Sequence, residues 1–194
     1  MKSRCFAIFA SGNGSTAQML LNHFEENESI NVALILTNNP KAKVIEIGQL
    51  FKIPVINCTN EEANNSDYLI EICENYEIEY IVLAGYLRKI PIEFIAHFPN
   101  KIINIHPSLL PKFGGKGMYG MNVHEAVLKS DETETGISIH FVNEHFDDGT
   151  LIAQFRCTIN SEDDAESIRK KIHELERTHF AEIVEKTIKY DRIF

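Results

Sequence analysis

The segment Asn104–Pro111 contains two side chains whose types and spacing suit acyl chemistry. Asn104 and His106 stand two residues apart at the carboxyl end of a predicted strand, so their side chains share one face. Ligands of open α/β sheets bind beyond such carboxyl ends. An amide donor beside a titratable imidazole can stabilise a carbonyl oxygen that becomes an oxyanion. The alternative interpretation is a hydrogen-bonded core histidine beside a turn.

An acidic turn, Glu144–Gly149, lies between two later predicted strands and contains Asp147. A carboxylate beside His106 would orient the imidazole and favour its charged form. The alternative is a solvated turn that uses Asp and Gly for ordinary backbone reasons. His140 and His145 raise the question of a metal site, but no spaced set of carboxylates or cysteines completes a coordination shell. We therefore expect no metal.

The turn Ser11–Thr16, between the first predicted strand and the first predicted helix, is a candidate phosphate site. Its glycines let the backbone approach a ligand, and the first amides of a helix carry a partial positive charge. With Ala17 the turn also fits the dinucleotide pattern GxGxxA, but Asn38 and Asn39 stand where that pattern expects an acidic residue. No GK[ST] follows, which excludes a Walker A loop. The alternative is a structural turn in which Ser15 caps the helix.

The elements that position these residues alternate between strands and helices over the first two thirds of the chain. Strands are predicted at Cys5–Ala10, Ile30–Leu36, Val55–Ile56, Tyr80–Leu83 and Ile102–Ile105. Helices are predicted at Thr16–Phe24, Val44–Phe51, Tyr68–Tyr76 and Pro91–Ala96. Apolar strands separated by helices predict an α/β fold with an open, mostly parallel, twisted sheet that helices cover on both faces.

The pattern changes after about residue 130. Gly136–Val142 and Thr150–Thr158 predict a late β-hairpin, and Asp163–Lys189 predicts a long C-terminal helix. The apolar stripe of that helix consists of Ile168, Ile172, Leu175, His179, Ile183 and Thr187. The sequence contains no repeat, linker or low-complexity stretch, so we expect one domain over residues 1–194.

Composition excludes several classes of protein. The chain has 194 residues, of which 44% are hydrophobic, so it is too apolar for a disordered coil. Its apolar runs are far shorter than a membrane span, and the N-terminus does not resemble a secretory signal. A net charge of -9 argues against a nucleic-acid binder. The four cysteines form no CxxC pair, and we interpret them as reduced residues of a cytoplasmic protein.

The distribution of charge matters as much as its total. Residues 80–130 carry a local charge of +4, which leaves -13 on the remainder of the chain. Small anions can therefore bind to a protein whose overall charge is negative, because local charge opposes the total.

Five segments together resemble the folate-dependent formyltransferases, and among them the phosphoribosylglycinamide formyltransferases. The segments are SGNGS at Ser11–Ser15, VLAGYLR at Val82–Arg88, NIHPSLLP at Asn104–Pro111, TGISIHF at Thr135–Phe141 and the turn Asp147–Gly149. The resemblance covers nearly the whole chain and implies a Rossmann-like formyltransferase fold. NIHPSLLP marks the broader superfamily, whereas SGNGS and the short chain narrow the resemblance to this group.

The resemblance also implies roles for individual residues. The catalytic residues would be Asn104, His106 and Asp147. The substrate phosphate would bind at Gly14, Ser15 and Thr16, and Glu176 would contact the glycinamide ribonucleotide. The folate would be held by Leu87, Arg88, Lys89, Ile90 and Asn104, with the loop Val142–Asp147 opposite.

The implied reaction is transfer of the formyl group of 10-formyltetrahydrofolate to the amine of 5′-phosphoribosylglycinamide, in a monomer or homodimer without metal, nucleic acid or membrane. Methionyl-tRNA formyltransferases and formyltetrahydrofolate deformylases would need a further domain, for which we expect no room in 194 residues. Two competing functions stay open, a sugar-nucleotide N-formyltransferase and a non-catalytic module that binds a phosphorylated metabolite.

Three features depart from the family pattern. Thr16 stands where Asn is common, and residues 57–66 contain no Arg to meet the glutamate tail of a folate. The loop Lys112–Met121 is longer and richer in glycine than the shortest family version, which leaves the roles of that loop and of His124 open.

Overall fold

A seven-stranded sheet organises the molecule in a computed structural model that describes residues 3–191. The strands are β1 Arg4–Phe9, β2 Ile30–Thr37, β3 Val55–Asn57, β4 Ile78–Leu83, β5 Ile102–His106, β6 Glu134–Phe141 and β7 Leu151–Thr158. Their spatial order is β3-β2-β1-β4-β5-β6-β7. Pairs among β1 to β5 are parallel, whereas β6 and β7 join antiparallel. The predicted α/β fold with a late hairpin is therefore confirmed.

Six α-helices accompany the sheet within residues 3–191. They are α1 Ser15–Phe24, α2 Val44–Leu50, α3 Ser66–Asn75, α4 Ile92–His97, α5 Met121–Leu128 and α6 Ala165–Tyr190. The predicted helix at Asp163–Lys189 begins two residues later than expected. Asp164 caps it in a reciprocal box, in which its carboxylate accepts the amide of Ser167 at 2.7 Å.

Helix α5 is not evident from the sequence. It is eight residues long and follows a glycine-rich segment, and only Val123, His124 and Val127 are buried. So short a pattern gives too few apolar repeats for its period to be recognised.

The core lies on both faces of the sheet because side chains of a strand alternate between faces. Phe6 and Ile8 of β1 pack into one apolar cluster with α1 and α6, whereas Ala7 and Phe9 pack into the opposite cluster with α3 and α4. All four side chains are fully buried. Burial on both faces explains why these strands read as continuous apolar runs.

The strand order reverses between β1 and β4. The chain winds outward from β1 to β3 and then returns to place β4 on the other side of β1. Ligands of such sheets bind in the crevice beyond the carboxyl ends at this reversal. The topology therefore predicts where the site should lie. No helix among residues 3–191 is long and apolar enough to cross a membrane.

Candidate active site

A cavity of about 530 Å³ opens beyond the carboxyl ends of β4 and β5. Five segments provide most of its lining: the loop after β4, the end of β5, the glycine-rich segment before α5, the loop after β6 and one face of α6. Thr16 of α1, His124 of α5 and His140 of β6 also line it. This volume lies within the range of small-molecule sites. Asn104, His106 and Asp147 are all among its lining residues.

Antiparallel pairing places the candidate catalytic residues on one face of the sheet. Asn104 pairs directly with His140 of β6, and His106 pairs with Ser138. Directly opposed residues of an antiparallel pair project to the same side, as do residues two apart on one strand. Four polar side chains therefore converge on one side of β5 and β6.

His106 is buried, and both of its ring nitrogens have acceptors nearby. Its Nε2 lies 2.8 Å from the backbone carbonyl of Phe113, and its Nδ1 lies 3.4 Å from Oδ2 of Asp147. A carbonyl oxygen only accepts hydrogen bonds, so Nε2 carries a hydrogen and donates it. Nδ1 is therefore the nitrogen available for proton chemistry, and it faces the carboxylate.

Ser108 fastens the backbone next to the Phe113 carbonyl that accepts from His106. Its hydroxyl donates to the carbonyl of Lys112 at 2.9 Å and lies 3.5 Å from that of Phe113. The residue is fully buried. The beginning of the glycine-rich segment is thus fastened to the end of β5, and the imidazole has a defined orientation before any ligand binds.

Asp147 is held by groups from two segments. Its Oδ2 accepts the amide of Gly115 at 2.9 Å, and the same carboxylate faces His106. Burial acts to raise the pKa of Asp147, but the interaction with His106 and the Gly115 amide outweigh it and hold that pKa below its ordinary value. The carboxyl group is therefore an anion at neutral pH.

The turn that carries Asp147 requires a glycine two residues later. A Cβ on Gly149 would lie 1.7 Å from the carbonyl oxygen of Phe141, which no side chain can tolerate. The turn is therefore folded tightly onto the end of β6. It places Asp147 over the cavity, and the solvated-turn alternative is wrong for this residue.

His140 makes contacts that the sequence does not reveal. Its Nε2 lies 3.1 Å from Nδ2 of Asn104 and 3.8 Å from Oδ1 of Asp147. Burial lowers the pKa of His140. The period-two alternation of β6 was the available signal, because it places this residue on the same face as Ser138. Within residues 3–191 no group of three or more His, Cys, Asp or Glu side chains is arranged to hold a metal ion.

The turn before α1 presents unpartnered amides. Gly14 occupies the cap position with φ of 74°, and no side chain caps the helix. The alternative in which Ser15 caps α1 is wrong, since Ser15 is itself the first helical residue. Thr16 lines the cavity, whereas Gly14 and Ser15 are not among its lining residues. The first amides of α1 are therefore unoccupied by any side-chain acceptor of residues 3–191.

Glu176 lines the same end of the cavity from α6. Burial raises the pKa of its carboxyl to about 7, and it has no ion-pair partner in the described part of the chain. His173 and Arg169 line the cavity one and two turns earlier on the helix. These two were not predicted, although their helical spacing from Glu176 was a usable signal.

The predicted folate segment, Leu87–Ile90, also lines the cavity and forms a wall of it. Leu87 is 68% exposed at the rim, whereas Ile90 is buried. Arg88 donates to the side-chain oxygens of Asn60 at 3.0 Å and Asn64 at 2.9 Å. Residues 57–66 contain no Arg of their own, but they contribute the two asparagines that hold Arg88 at the cavity wall.

An aromatic and a cationic side chain meet at the rim of this wall. The ammonium of Lys89 lies 5.7 Å from the ring centroid of Phe146, which belongs to the loop after β6. Phe146 is 47% exposed. An apolar rim with a cation nearby suits a flat heteroaromatic ligand with anionic substituents.

Comparison with known proteins gives a consistent result. The family described as "Formyl transferase" matches residues 4–184. A phosphoribosylglycinamide formyltransferase of Bacillus subtilis is 36% identical over 188 residues, which cover 94% of each chain. The chloroplastic phosphoribosylglycinamide formyltransferase of Arabidopsis thaliana is 37% identical over 92% of this chain. The chain spans only 63% of the length of the Arabidopsis protein and 61% of its Vigna unguiculata counterpart.

Solved structures agree with the sequence relatives. The phosphoribosylglycinamide formyltransferase of Bacillus halodurans superposes with a TM-score of 0.85 at 31% identity, and the alignment covers 97% of both chains. That of Anaplasma phagocytophilum gives a TM-score of 0.87 at 28% identity, covering 97% of this chain and 88% of the other.

Proposed function

The chain belongs to the formyl transferase family, and on that premise we propose that it transfers the formyl group of 10-formyltetrahydrofolate to the amine of 5′-phosphoribosylglycinamide, a step of de novo purine biosynthesis. The observation that carries the proposal is the cluster of Asn104, His106 and Asp147 in the lining of one cavity. One end of that cavity suits a phosphorylated substrate, and the other suits a heteroaromatic donor.

Binding would place the two substrates against each other. The phosphate is assigned to the first amides of α1 and the hydroxyl of Thr16, with Glu176 nearby to accept hydrogen bonds from the ribonucleotide. The folate is assigned to the wall Leu87–Ile90. Holding the amine next to the formyl carbon turns a bimolecular step into an effectively unimolecular one.

Attack of the amine forms a C–N bond at the formyl carbon and places negative charge on its oxygen. Asn104 Nδ2 and protonated Nδ1 of His106 are the donors available to that oxyanion, since Nε2 is engaged by Phe113. Asp147 stabilises the imidazolium because its carboxylate faces the same Nδ1.

Collapse of the intermediate breaks the bond between the formyl carbon and the folate nitrogen. The proton released by the attacking amine must reach that nitrogen. The anionic Asp147 accepts this proton, directly or through water, and passes it to the folate nitrogen as the bond breaks, so that the carboxylate is restored. The proposal gives a metal ion no role, because the chain's own donors supply the charge stabilisation.

The test is an absorbance assay for deformylated folate, run with and without glycinamide ribonucleotide. We expect product only when both substrates are present. Product without the ribonucleotide would indicate a hydrolase, and no product in either case, together with tight ligand binding, would indicate a non-catalytic binding module. Monomer or homodimer, and cytoplasmic location, stay predictions.

A further inference from the structure

We propose that His140 is a positioning residue of this reaction, which accepts a hydrogen bond from Asn104 and thereby orients the Asn104 amide toward the reacting carbonyl. The inference rests on the proposed formyl transfer and deepens it. His140 lies outside the cluster of Asn104, His106 and Asp147. It determines which end of the asparagine amide faces the substrate.

Strand register places the two side chains together. Asn104 and His140 are direct partners in the antiparallel pair of β5 and β6. Opposed Cβ atoms in such a pair are about 4.5–5.5 Å apart, so the side chains are in contact range without any loop movement. His140 is only 2% exposed, so its ring nitrogens depend on protein partners for hydrogen bonds.

The hydrogen-bond partners of His140 define its tautomer. Nδ1 lies 2.8 Å from the carbonyl oxygen of Phe141, which can only accept, so Nδ1 carries the hydrogen. Nε2 lies 3.1 Å from the amide nitrogen of Asn104, which can only donate. Both contacts are satisfied together only by the neutral imidazole with its hydrogen on Nδ1. Burial lowers the pKa of His140 and favours that neutral form, against the opposing effects of the Phe141 carbonyl and Asp147.

This arrangement prevents the Asn104 amide from rotating by half a turn. A rotated amide would place its oxygen against the lone pair of His140 Nε2, and both groups would be unsatisfied acceptors in a buried site. In the observed orientation, one N–H of Asn104 is used by His140. The other N–H faces Asp147 at 3.5 Å, which is too long for a strong hydrogen bond. That second N–H is available to a developing oxyanion.

Without His140, the asparagine amide would be free to turn its oxygen toward the formyl oxygen. Two like partial charges would then oppose each other in the transition state. The loss would fall on kcat, because the interaction forms only as the oxyanion develops. Ground-state binding of either substrate would change little.

The experiment compares two replacements that differ by one methylene. His140→Gln places an amide oxygen where it can accept from Asn104, whereas His140→Asn is too short to do so. We expect His140→Asn to lower kcat by about tenfold to a hundredfold, with each KM within about threefold of the parent value. His140→Gln should recover most of that loss. His97→Asn on the exposed surface of α4 is the control and should behave as the parent.

A double-mutant cycle isolates the coupling. Asn104→Ala should lower kcat by about 10²–10³-fold, the usual effect of removing one oxyanion donor. Adding His140→Asn to Asn104→Ala should lower kcat no further, because the amide to be positioned is gone. Full additivity, or equal losses in His140→Gln and His140→Asn, would overturn the positioning role. Equal losses would instead identify the imidazole itself as an acid or base.

A spectroscopic measurement on the parent protein is independent of turnover. Long-range ¹H–¹⁵N spectra of histidine should show His140 as the neutral Nδ1–H tautomer at pH 7, and the side-chain amide signals of Asn104 should shift in His140→Asn. A charged His140 or the Nε2–H tautomer at pH 7 would overturn the inference. An inactive parent with the Nδ1–H tautomer intact would overturn the proposed function and, with it, the catalytic role of His140, while leaving the contact itself established.

Discussion

The two ends of the cavity differ in whether their polar groups already have protein partners. At one end, His106, Asp147, Asn104 and Arg88 all make hydrogen bonds or ion pairs within the chain. At the other end, the first amides of α1 have no side-chain cap, and Glu176 is partly buried without an ion-pair partner among the described residues.

The groups that already have protein partners suit catalysis, whereas the groups without partners suit substrate binding. Groups that stabilise a transition state act best when they are already oriented, because no reorganisation is then needed during the reaction. Groups that bind a substrate phosphate or ribose gain most when the substrate itself supplies the missing partner. Substitutions at the two ends should therefore affect different kinetic constants, and the expected effects are given from the largest to the smallest.

The largest effect is expected at the oriented end. His106→Ala should lower kcat by about 10³–10⁴-fold, because it removes an oxyanion donor and the partner of Asp147 together. KM for both substrates should change little. Steady-state kinetics with both substrates measure this, and thermal unfolding checks the fold. His97→Ala, outside the cavity, is the matched control, and turnover near the parent value in His106→Ala would contradict the assignment.

Asp147→Asn should lower kcat by about 10²–10³-fold, since an amide cannot stabilise the charged imidazole of His106. The pKa of Asp147 is held below its ordinary value of 3.8, so the carboxylate stabilises the folded state above that value and loses this effect as pH falls through the folded-state pKa. In urea unfolding, the free energy of unfolding should therefore be higher for the parent than for Asp147→Asn at pH 7, and this difference should shrink below pH 4. A difference in the free energy of unfolding that is the same at both pH values would contradict the ion pair.

Ser15→Asp tests the end of the cavity at which the first amides of α1 have no side-chain cap. A carboxylate at the first position of α1 would occupy the helix amides and repel a phosphate, so KM for the ribonucleotide should rise by about tenfold to a hundredfold. Neither kcat nor KM for the folate should change by a similar factor. Ser66→Asp, at the first position of α3, introduces the same charge outside the cavity and is the control. An unchanged KM for the ribonucleotide in Ser15→Asp would place the phosphate elsewhere.

The smallest effect is expected on stability. Because burial raises the pKa of Glu176 from 4.5 to about 7, the folded state binds its proton more tightly, and folded-state stability falls as pH rises between these values. Glu176→Gln should therefore increase the free energy of unfolding by about 1–2 kcal/mol above pH 7, with no difference below pH 4.5. Denaturant unfolding at pH 4 and pH 8 measures this.

The matched control for Glu176 is Glu182→Gln on the same helix. Glu182 pairs with Lys186 on the exposed side, so its removal should not stabilise the protein at pH 8. Glu176→Gln should also reduce the stabilisation that the ribonucleotide confers, since the carboxylate would be its partner. A Glu176→Gln protein that is no more stable than the parent at pH 8 would show that the carboxylate has a partner at this end.

The sequence was a good guide where a pattern repeats over many residues. Short apolar runs predicted strands β1 to β5, because burial on both faces of a strand leaves few polar positions, and β-type runs, alternating in β6, predicted the late hairpin. Helical spacing predicted the long helix α6, because burial of one helix face imposes that period. Asn104 and His106 were recognisable for the same reason, as neighbours on one face at the end of a strand. The sequence pattern failed for α5, whose eight residues provide too short a repeat.

No repeating pattern in the sequence indicates which distant segments are in contact. His140 is 36 residues from Asn104, and Gly115 is 32 residues from Asp147, yet both pairs make hydrogen bonds. The sequence by itself predicted which side chains carry the proposed chemistry and at which edge of the sheet they stand. The tertiary structure alone decided which nitrogen of His106 is available, which tautomer His140 adopts and which polar groups have no partner. These properties depend on the register of β5 against β6 and on the fold of the loops above them, and a linear pattern of residue types does not encode either.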